Sequence, residues 1–573
     1  MRNILLGIAM LLALTTNAQI CRFEKSDGQE TATYFEAIDW YKQLDKKSSM
    51  LSVMKMGATD AGYPLHLVLV SSDGTFDPEL WHKKGKIVIL INNGIHPGES
   101  DGIDASMLLA RDIIVKKNIL PQNVAIAIIP VYNIGGCLNR NSYTRANQNG
   151  PVEYGFRGNA QNLDLNRDFT KCDSKEAQSF TEIFHFLKPD IFIDNHVSDG
   201  ADFQHTMTLI STQYNKLGPN LGNWLRDEFE PGIYKSMQAK GWDMVPYVDF
   251  ESTDLGKGMQ MFMDPPRYSS GYAALFNTLS FMPETHMLKP YKQRVKSTYD
   301  LMRSFILISS NKSDEIIRNR AKANLEWQNM KQYPLAWTID SSQYAQILFK
   351  GYQTNYTKSE ATGLQKMYYD HNQPFERRIN FFNTFSPNKM IDGAKAYVIP
   401  HGWQSVIDLL RKNDVKMHIL EKDSMISVTS YKINDYKSYP KAYEKHHKNF
   451  SVKLTKDTSF HLFLKGDYLI FLNQRANRYL TEMLEPNGDD SFFAWNFFDA
   501  VLQQKEGYSN YRWEDIAAHE IKQDSMLAHN LKNRISSDPN FATDSNAILE
   551  FIYKNSRYSE KEYLRYPIYR IEY

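Results

Sequence analysis

Two short segments hold histidine and carboxylate at a spacing that suits a metal ion. In His96-Pro97-Gly98-Glu99 an imidazole and a carboxylate stand three residues apart. From a turn that opens a helix, such a pair can converge on one cation. The second segment is Asp194-Asn195-His196. Imidazole and carboxylate are both good zinc ligands, and a catalytic zinc takes three protein groups and leaves one position for water. The His-x-x-acid pattern by itself is weak, because in a chain of this composition about one or two matches arise by chance. His196-Val197-Ser198-Asp199 fits it as well. His519-Glu520 begins like a His-Glu-x-x-His helix, but Gln523 stands where the second histidine is needed, so this pair reads as a solvated helix face.

A metal-assisted hydrolase also needs a base and groups that hold charge. Asn166 and Arg167 are adjacent in Asp164-Leu165-Asn166-Arg167-Asp168. They suit a carboxylate, which a guanidinium can bind in bidentate fashion. Arg140 and Arg145 lie in a polar, looped stretch, and Glu284 follows the apolar run Leu279-Ser280-Phe281-Met282. Taken singly, each of these reads as a surface group. The Gly-x-Ser-x-Gly match at Gly98-Glu99-Ser100-Asp101-Gly102 coincides with the His-x-x-Glu segment, so a serine hydrolase competes there with the metal reading. The three cysteines, Cys21, Cys137 and Cys172, make neither a disulfide scaffold nor a thiolate zinc site. Export would permit a Cys137–Cys172 bridge.

The elements that must position these groups follow a strand–helix alternation from about residue 31 to 310. Lys86 to Ile91 is a continuous apolar run that ends at Asn92-Asn93-Gly94, and it reads as a strand buried on both faces. A helical pattern follows over Asp104 to Val115. Val124 to Ile129 is a second buried strand, Asp173 to Leu187 a second helix, and Asp190 to Asp194 a third strand. This predicts an α/β domain with a mixed, mainly parallel central sheet flanked by helices. Ligands of such sheets bind beyond the carboxyl ends of strands, which is where His96, Glu99 and His196 fall.

The full chain has 573 residues, too many for one core, since single cores stop growing near about 250–300 residues. A charged helix is predicted as a linker over 311–333. Residues 334–573 form a second, α/β or α+β domain with its own strand–helix piece, Ala396 to Pro400 and Trp403 to Lys412, and a strand over Asp467 to Leu472. The formal net charge of +1 argues against a nucleic-acid binder, which usually carries a basic excess or stripe. At the start, Arg2 precedes the apolar run Ile4 to Leu14 and a small-residue site at Thr16-Asn17-Ala18. Residues 1–18 therefore read as a secretory signal peptide and the mature protein as secreted or periplasmic. The run is shorter than the roughly 20 apolar residues of a membrane anchor. Ile20 before Cys21 is too large for a lipoprotein site.

In order along the chain, Gly57 to Leu65, His96-Pro97-Gly98-Glu99, Asn133-Ile134-Gly135-Gly136, Asn162 to Arg167, Asp194-Asn195-His196 and Pro283-Glu284-Thr285-His286-Met287 resemble the motifs of the M14 family of zinc carboxypeptidases. The resemblance covers about residues 31–310, and pieces after 396 look like an extension found in some bacterial members. It implies one Zn²⁺ per chain held by His96, Glu99 and His196. It implies Glu284 as the catalytic glutamate and Arg145, with Arg140 as alternative, as the group that polarises the scissile carbonyl. Asn166 and Arg167 match the pair that holds the C-terminal carboxylate. Tyr268 matches the tyrosine that covers the substrate, with Tyr272 as runner-up. Ala274 or Leu275 falls at the specificity pocket. The implied substrate is a peptide with a free C-terminus. A related zinc amidase acting on cell-wall peptides or N-acyl amino acids, or a peptide- or glycan-binding protein, is the alternative. Two departures bear on substrate choice. Gly98 stands where digestive members carry arginine, as in members that trim glutamate side chains, and Asn133-Ile134-Gly135-Gly136 replaces the usual Asn-Pro-Asp-Gly.

Overall fold

The computed structural model describes residues 19–116, 119–248 and 255–573, so the signal peptide expected over 1–18 lies outside the described residues. The chain divides into two compact units. The first runs to Asp392 and takes in Asp408–Val415 and Asn473–Met483; the second comprises Gly393–Ile407, Lys416–Leu472 and Leu484–Tyr573. Among the described residues no helix is long and apolar enough to cross a membrane. Cys21, Cys137 and Cys172 are buried and free, so Cys137 and Cys172 are not bridged.

The first unit is built on β1 (Leu51–Ala58), β2 (Pro64–Ser71), β3 (Ile87–Asn93), β4 (Val124–Ile129), β5 (Ile191–Ser198), β6 (Met207–Ser211) and β7 (Met244–Pro246). A short β8 (Met259–Gln260) precedes β9 (Leu279–His286). Eight of these strands form one sheet in the order β1-β2-β4-β3-β5-β9-β6-β7. Its centre, β4-β3-β5-β9, is parallel, while β1, β2 and β6 add antiparallel pairings. Every residue of β3, β4 and β5 is buried, because helices cover both faces. Ile87, Ile89 and Ile91 pack with Ile38 and Tyr41 of the helix Tyr34–Asp45, Ile103 and Leu109 of Asp101–Lys116, and Val295 and Phe305 of Tyr291–Asn311. On β5, Phe192 packs among the rings of Phe180 and Phe184 from the helix Lys175–Leu187.

The helix expected as a linker spans Ser313–Gln328, with Ile316 and Ala323 in the core of the first unit; it is a packed element of that unit. Four further strands follow: β10 (Gln332–Ile339), β11 (Ala345–Lys358), β12 (Gln365–Phe382) and β13 (Phe385–Asp392). They too belong to the first unit, so the compact division falls after Asp392, later than the 334 boundary read from sequence. The physical reason is that the end of β12 extends β8 in parallel, Phe381 beside Met259. Phe349, Ile379 and Phe381 then share a core with Phe203, Val245 and Met259. The second unit holds a six-stranded antiparallel sheet and a cluster of helices around Trp513, Leu527 and Tyr553. There Glu520 is buried and accepts from Arg557 Nη2 at 2.9 Å, so only His519 of that pair is solvated.

The strand ends next to His96, Glu99 and His196 are tied together by amides. Asn195 Nδ2 donates to Asn93 Oδ1 at 2.8 Å. Asn93 Nδ2 in turn donates to Ser106 Oγ at 3.0 Å and to the Ile129 carbonyl at 3.1 Å. This buried network joins β3, β4 and β5 to the helix Asp101–Lys116, and Gly102 lies against it. A Cβ at Gly102 would meet Asn93 Oδ1 at 2.4 Å and Asn195 Cβ at 2.5 Å. Gly102→Ala is therefore expected to cost about 1–3 kcal/mol, the usual toll of overpacking, and to disturb the site above it. An unchanged urea midpoint for the full-length variant would refute the close-approach argument.

Candidate metal centre and cleft

His96 and Glu99 lie in the turn after β3, and His196 on β5. Gly94, with φ +67°, ends the strand, and the turn is then pinned from outside. Asn133 Nδ2 donates to the Ile95 carbonyl at 3.1 Å, and the Asn133 amide donates to the Gly94 carbonyl at 3.1 Å. The altered Asn133-Ile134-Gly135-Gly136 segment follows from packing: a Cβ at Gly135 would meet Ala160 N at 2.5 Å, and one at Gly136 would meet the Phe156 carbonyl oxygen at 2.3 Å.

The three ligand side chains are buried, with their ligand atoms within 4.8 Å of one another. His96 Nδ1 is 3.1 Å from Glu99 Oε1, and His196 Nδ1 is 3.0 Å from Glu99 Oε2. Each outer nitrogen is backed by a carboxylate: His96 Nε2 by Asp164 Oδ1 at 2.9 Å and His196 Nε2 by Asp194 Oδ2 at 3.1 Å. Carboxylate backing of this kind fixes the tautomer of a metal-binding imidazole and raises its basicity. Two inward nitrogens and one carboxylate are the donor set of a catalytic zinc with an open position, so the residues present fit that ion. The sequence reading missed the backing role of Asp164 and Asp194. A signal existed for Asp194, since residues two apart on a strand share a face.

The charges are poised for a cation. Burial would raise the Glu99 carboxyl, but the charges of His96 and Arg145 and hydrogen bonds from both imidazoles hold it well below its ordinary range. Burial would lower His196; the Asp194 carboxylate and the bond to Glu99 outweigh it and hold the imidazole well above its usual value. Asp164 is likewise held low against its burial by His96, Arg157 and Arg167. The site thus favours positive charge between Glu99 and the two histidines.

Glu284 stands beside His196 in register, on neighbouring parallel strands β9 and β5. It is buried, not solvent-facing, and burial, with Glu99 adding repulsion against the pull of His196, raises its carboxyl to about 8. These groups line a cleft of about 370 Å³ that also holds Arg145, Arg157, Asn166, Arg167 and Tyr268. Arg140 turns elsewhere and donates to the carbonyls of Thr31, Ala32 and Glu153.

Arg145 reaches Glu99 Oε1 with Nη2 at 3.0 Å, steadied by a 2.7 Å bond from Nε to Gln148. A Cβ at Gly98 would lie 2.3 Å from Arg145 Cδ, so the missing side chain at 98 makes the room that Arg145 fills. Arg157, which sequence reading did not single out, binds Asp164 at 2.9 Å and lies 3.7 Å from Glu99. Its side chain is 45% exposed against 18% for Arg145, and its charge acts on Glu284 as well. No local pattern marks it; only the folding of the 139–163 loop brings it to the cleft.

On the other side, Arg167 lies over the Tyr268 ring at 4.2 Å, and Asn166 Oδ1 accepts from the Ser269 amide at 3.4 Å. Tyr272 is fully buried and donates to Asn413 Oδ1 at 2.7 Å, which leaves Tyr268 as the tyrosine of the cleft. Ala274 and Leu275 are buried away from the cleft lining.

Residues 37–204 match the profile of the M14 peptidase family, zinc carboxypeptidase. A comparison with curated proteins finds no match. Among solved structures, the chain is similar to a metallo-carboxypeptidase from Burkholderia cenocepacia, at 15% identity and TM-score 0.37, over 49% of this chain and 70% of that one. A Pseudomonas aeruginosa metallo-carboxypeptidase in complex with (2-guanidinoethylmercapto)succinic acid gives 13% identity and TM-score 0.38, over 50% and 70%. Carboxypeptidase A from Helicoverpa armigera gives 15% and 0.36, over 52% and 74%. With the His96-Glu99-His196 group inside the matched stretch, the chain carries, over residues 37–204, a domain of the M14 zinc carboxypeptidase family.

Proposed function

We propose that the protein is a zinc metallocarboxypeptidase that removes residues from the free C-terminus of peptides, acting outside the cytoplasm after loss of a leader. The observation that carries this reading is a single cleft in which a backed His-Glu-His set, a buried glutamate and an arginine stacked on tyrosine face one another. Zinc bound by His96, Glu99 and His196 supplies Lewis acidity and a water of lowered pKa.

The remaining steps belong to the chain. Glu284 accepts the proton of the attacking water and passes it to the leaving amine. Arg167 and Asn166 hold the terminal carboxylate and Tyr268 closes over it, which sets the scissile bond one residue from the end. Arg145 was the arginine expected to stabilise the oxyanion. The greater exposure of Arg157, and its action on Glu284, favour Arg157 for the carbonyl, with Arg145 neutralising Glu99. Gly98 supports a second reading, an amidase that trims side chains, in which the carboxylate grip matters less.

Four outcomes test this. His96→Ala should lose zinc and activity yet keep its fold, since the site sits at strand ends; the purified variant still carrying one zinc per chain would remove the assignment.

Glu284→Gln should keep zinc and substrate affinity while kcat falls by about 10²–10⁴-fold. Arg167→Ala should raise KM more than it lowers kcat and shrink the preference for free-acid over amidated peptides. Wild-type discrimination in Arg167→Ala would favour the side-chain amidase.

Glu284 works only when ionised, so kcat/KM should rise with pH through its titration. Burial places that near 8, and a bound dication favours the ionised form and moves the limb lower. An acid limb that survives in the residual activity of Glu284→Gln would assign it to another group.

A further inference from the structure

Beside the cleft lies a larger cavity of about 920 Å³. Ile210, Tyr247 and Phe262 line both, so the two adjoin across these side chains. The junction is on a definite side. Phe262 packs edge-on against Tyr268 at 5.4 Å, and Tyr268 lies under Arg167 at 4.2 Å. The chamber therefore opens beside the carboxylate grip, away from Arg145 and Gly98.

Its far wall comes from outside the region that resembles the M14 family. Ala345 and Ile347 of β11 and Phe381 of β12 form that wall. The parallel pairing of β12 with β8, and the shared core of Phe349, Ile379 and Phe381 with Val245 and Met259, hold it in place. The charged groups that line the chamber are compensated. Arg226 pairs with Asp227 and Lys350 with Asp243. Glu230 accepts from Ser211 at 2.6 Å, and burial raises its carboxyl. Lys235 lies exposed at the rim. Tyr234 Oη is buried in the lining without a hydrogen-bond partner, so the chamber offers a guest a neutral hydroxyl amid mostly apolar wall and no buried uncompensated charge. The volume is in the range that encloses a drug-sized ligand, about 300–1,000 Å³.

We propose that this chamber receives a long, uncharged hydrocarbon group carried by the residue that cleavage releases, and that the strands after residue 344 make the enzyme selective for it. The proposal rests on the reading of the cleft as the site of amide hydrolysis. The shared lining and the position of the junction beside Arg167 select this occupant, because a substrate whose terminal carboxylate sits there directs its last side chain toward Phe262.

The test uses the zinc-loaded full chain and N-blocked dipeptides whose C-terminal residue is alanine, norleucine, 2-aminooctanoate or 2-aminododecanoate. kcat/KM should climb with side-chain length, by up to about fourfold per fully buried methylene. Ala345→Trp, which fills the chamber, and Ile347→Glu, which places a carboxylate in it, should each cut the ratio of the longest substrate to the alanine one at least tenfold. A flat series in the wild type, or an unchanged ratio in a folded Ala345→Trp, overturns the proposal. Calorimetry of free 2-aminododecanoate and alanine with chelator-treated protein separates the two readings. Length-dependent binding without turnover of any dipeptide keeps the chamber and sinks the hydrolysis; turnover without length-dependent binding does the reverse.

Discussion

Glu99 is a buried, ionised carboxylate at the floor of the cleft, and a buried charge is costly unless it is paired and hydrogen bonded. Here the pairing is complete. Two imidazoles meet its two oxygens, the Val197 amide donates to Oε2 at 3.0 Å, and Arg145 reaches Oε1 at 3.0 Å. Each imidazole in turn needs its own carboxylate, which Asp164 and Asp194 provide. Asp194 is itself held by Asn92 Nδ2 at 3.0 Å. Loss of any member leaves a neighbour with an uncompensated charge, so the group stands or falls as a unit around whatever cation it holds.

That demand explains the frame. A side-chain cluster of this kind needs strand ends fixed to fractions of an ångström, and loops alone do not supply that. β3, β5 and β9 are parallel and adjacent, so three carboxyl ends point one way and bring the His96–Glu99 turn, His196 and Glu284 together. The amide network of Asn93, Asn195 and Ser106 locks two of these ends to the following helix. The amide donors of this network are paired, while Asn195 Oδ1 and Asn92 Oδ1 stay buried without a hydrogen-bond partner.

The cleft is asymmetric in charge, and its asymmetry matches the proposed chemistry. Arginines 145 and 157 stand near the metal ligands, and Arg167 stands on the opposite side with its tyrosine. Beyond that tyrosine the lining turns apolar and runs into the chamber walled by β11 and β12. From one side to the other the lining thus passes from Glu99, Asp199 and Glu284, past Arg167 and Tyr268, to mostly apolar side chains. A substrate with a polar amide, a terminal carboxylate and a greasy tail would match it in that order.

Much of this was legible in the residues. The unbroken apolar runs of β3 and β4 demand burial on both faces, which only a helix-covered parallel sheet gives, and the strand-end rule then picks out His96, Glu99 and His196 without any coordinates. Motif order extended that to Glu284, Arg167 and Tyr268. Other features depended on distance alone. Arg157 reaches the cleft because a loop folds over it, and sequence spacing carries no trace of that. The choice between Arg140 and Arg145 turned on which one faces Glu99 and which one bonds to backbone carbonyls. Glu520 seemed a solvated residue until Arg557 covered it. The placement of residues 332–392 with the first unit rests on the pairing of Phe381 with Met259 and Phe382 with Gln260 and on the core that Phe349, Ile379 and Phe381 share with Phe203 and Val245, all between positions more than a hundred residues apart. Local periodicity fixes which face of an element is buried, because that is a property of neighbouring residues; which distant element buries it is decided only when the chain has closed on itself.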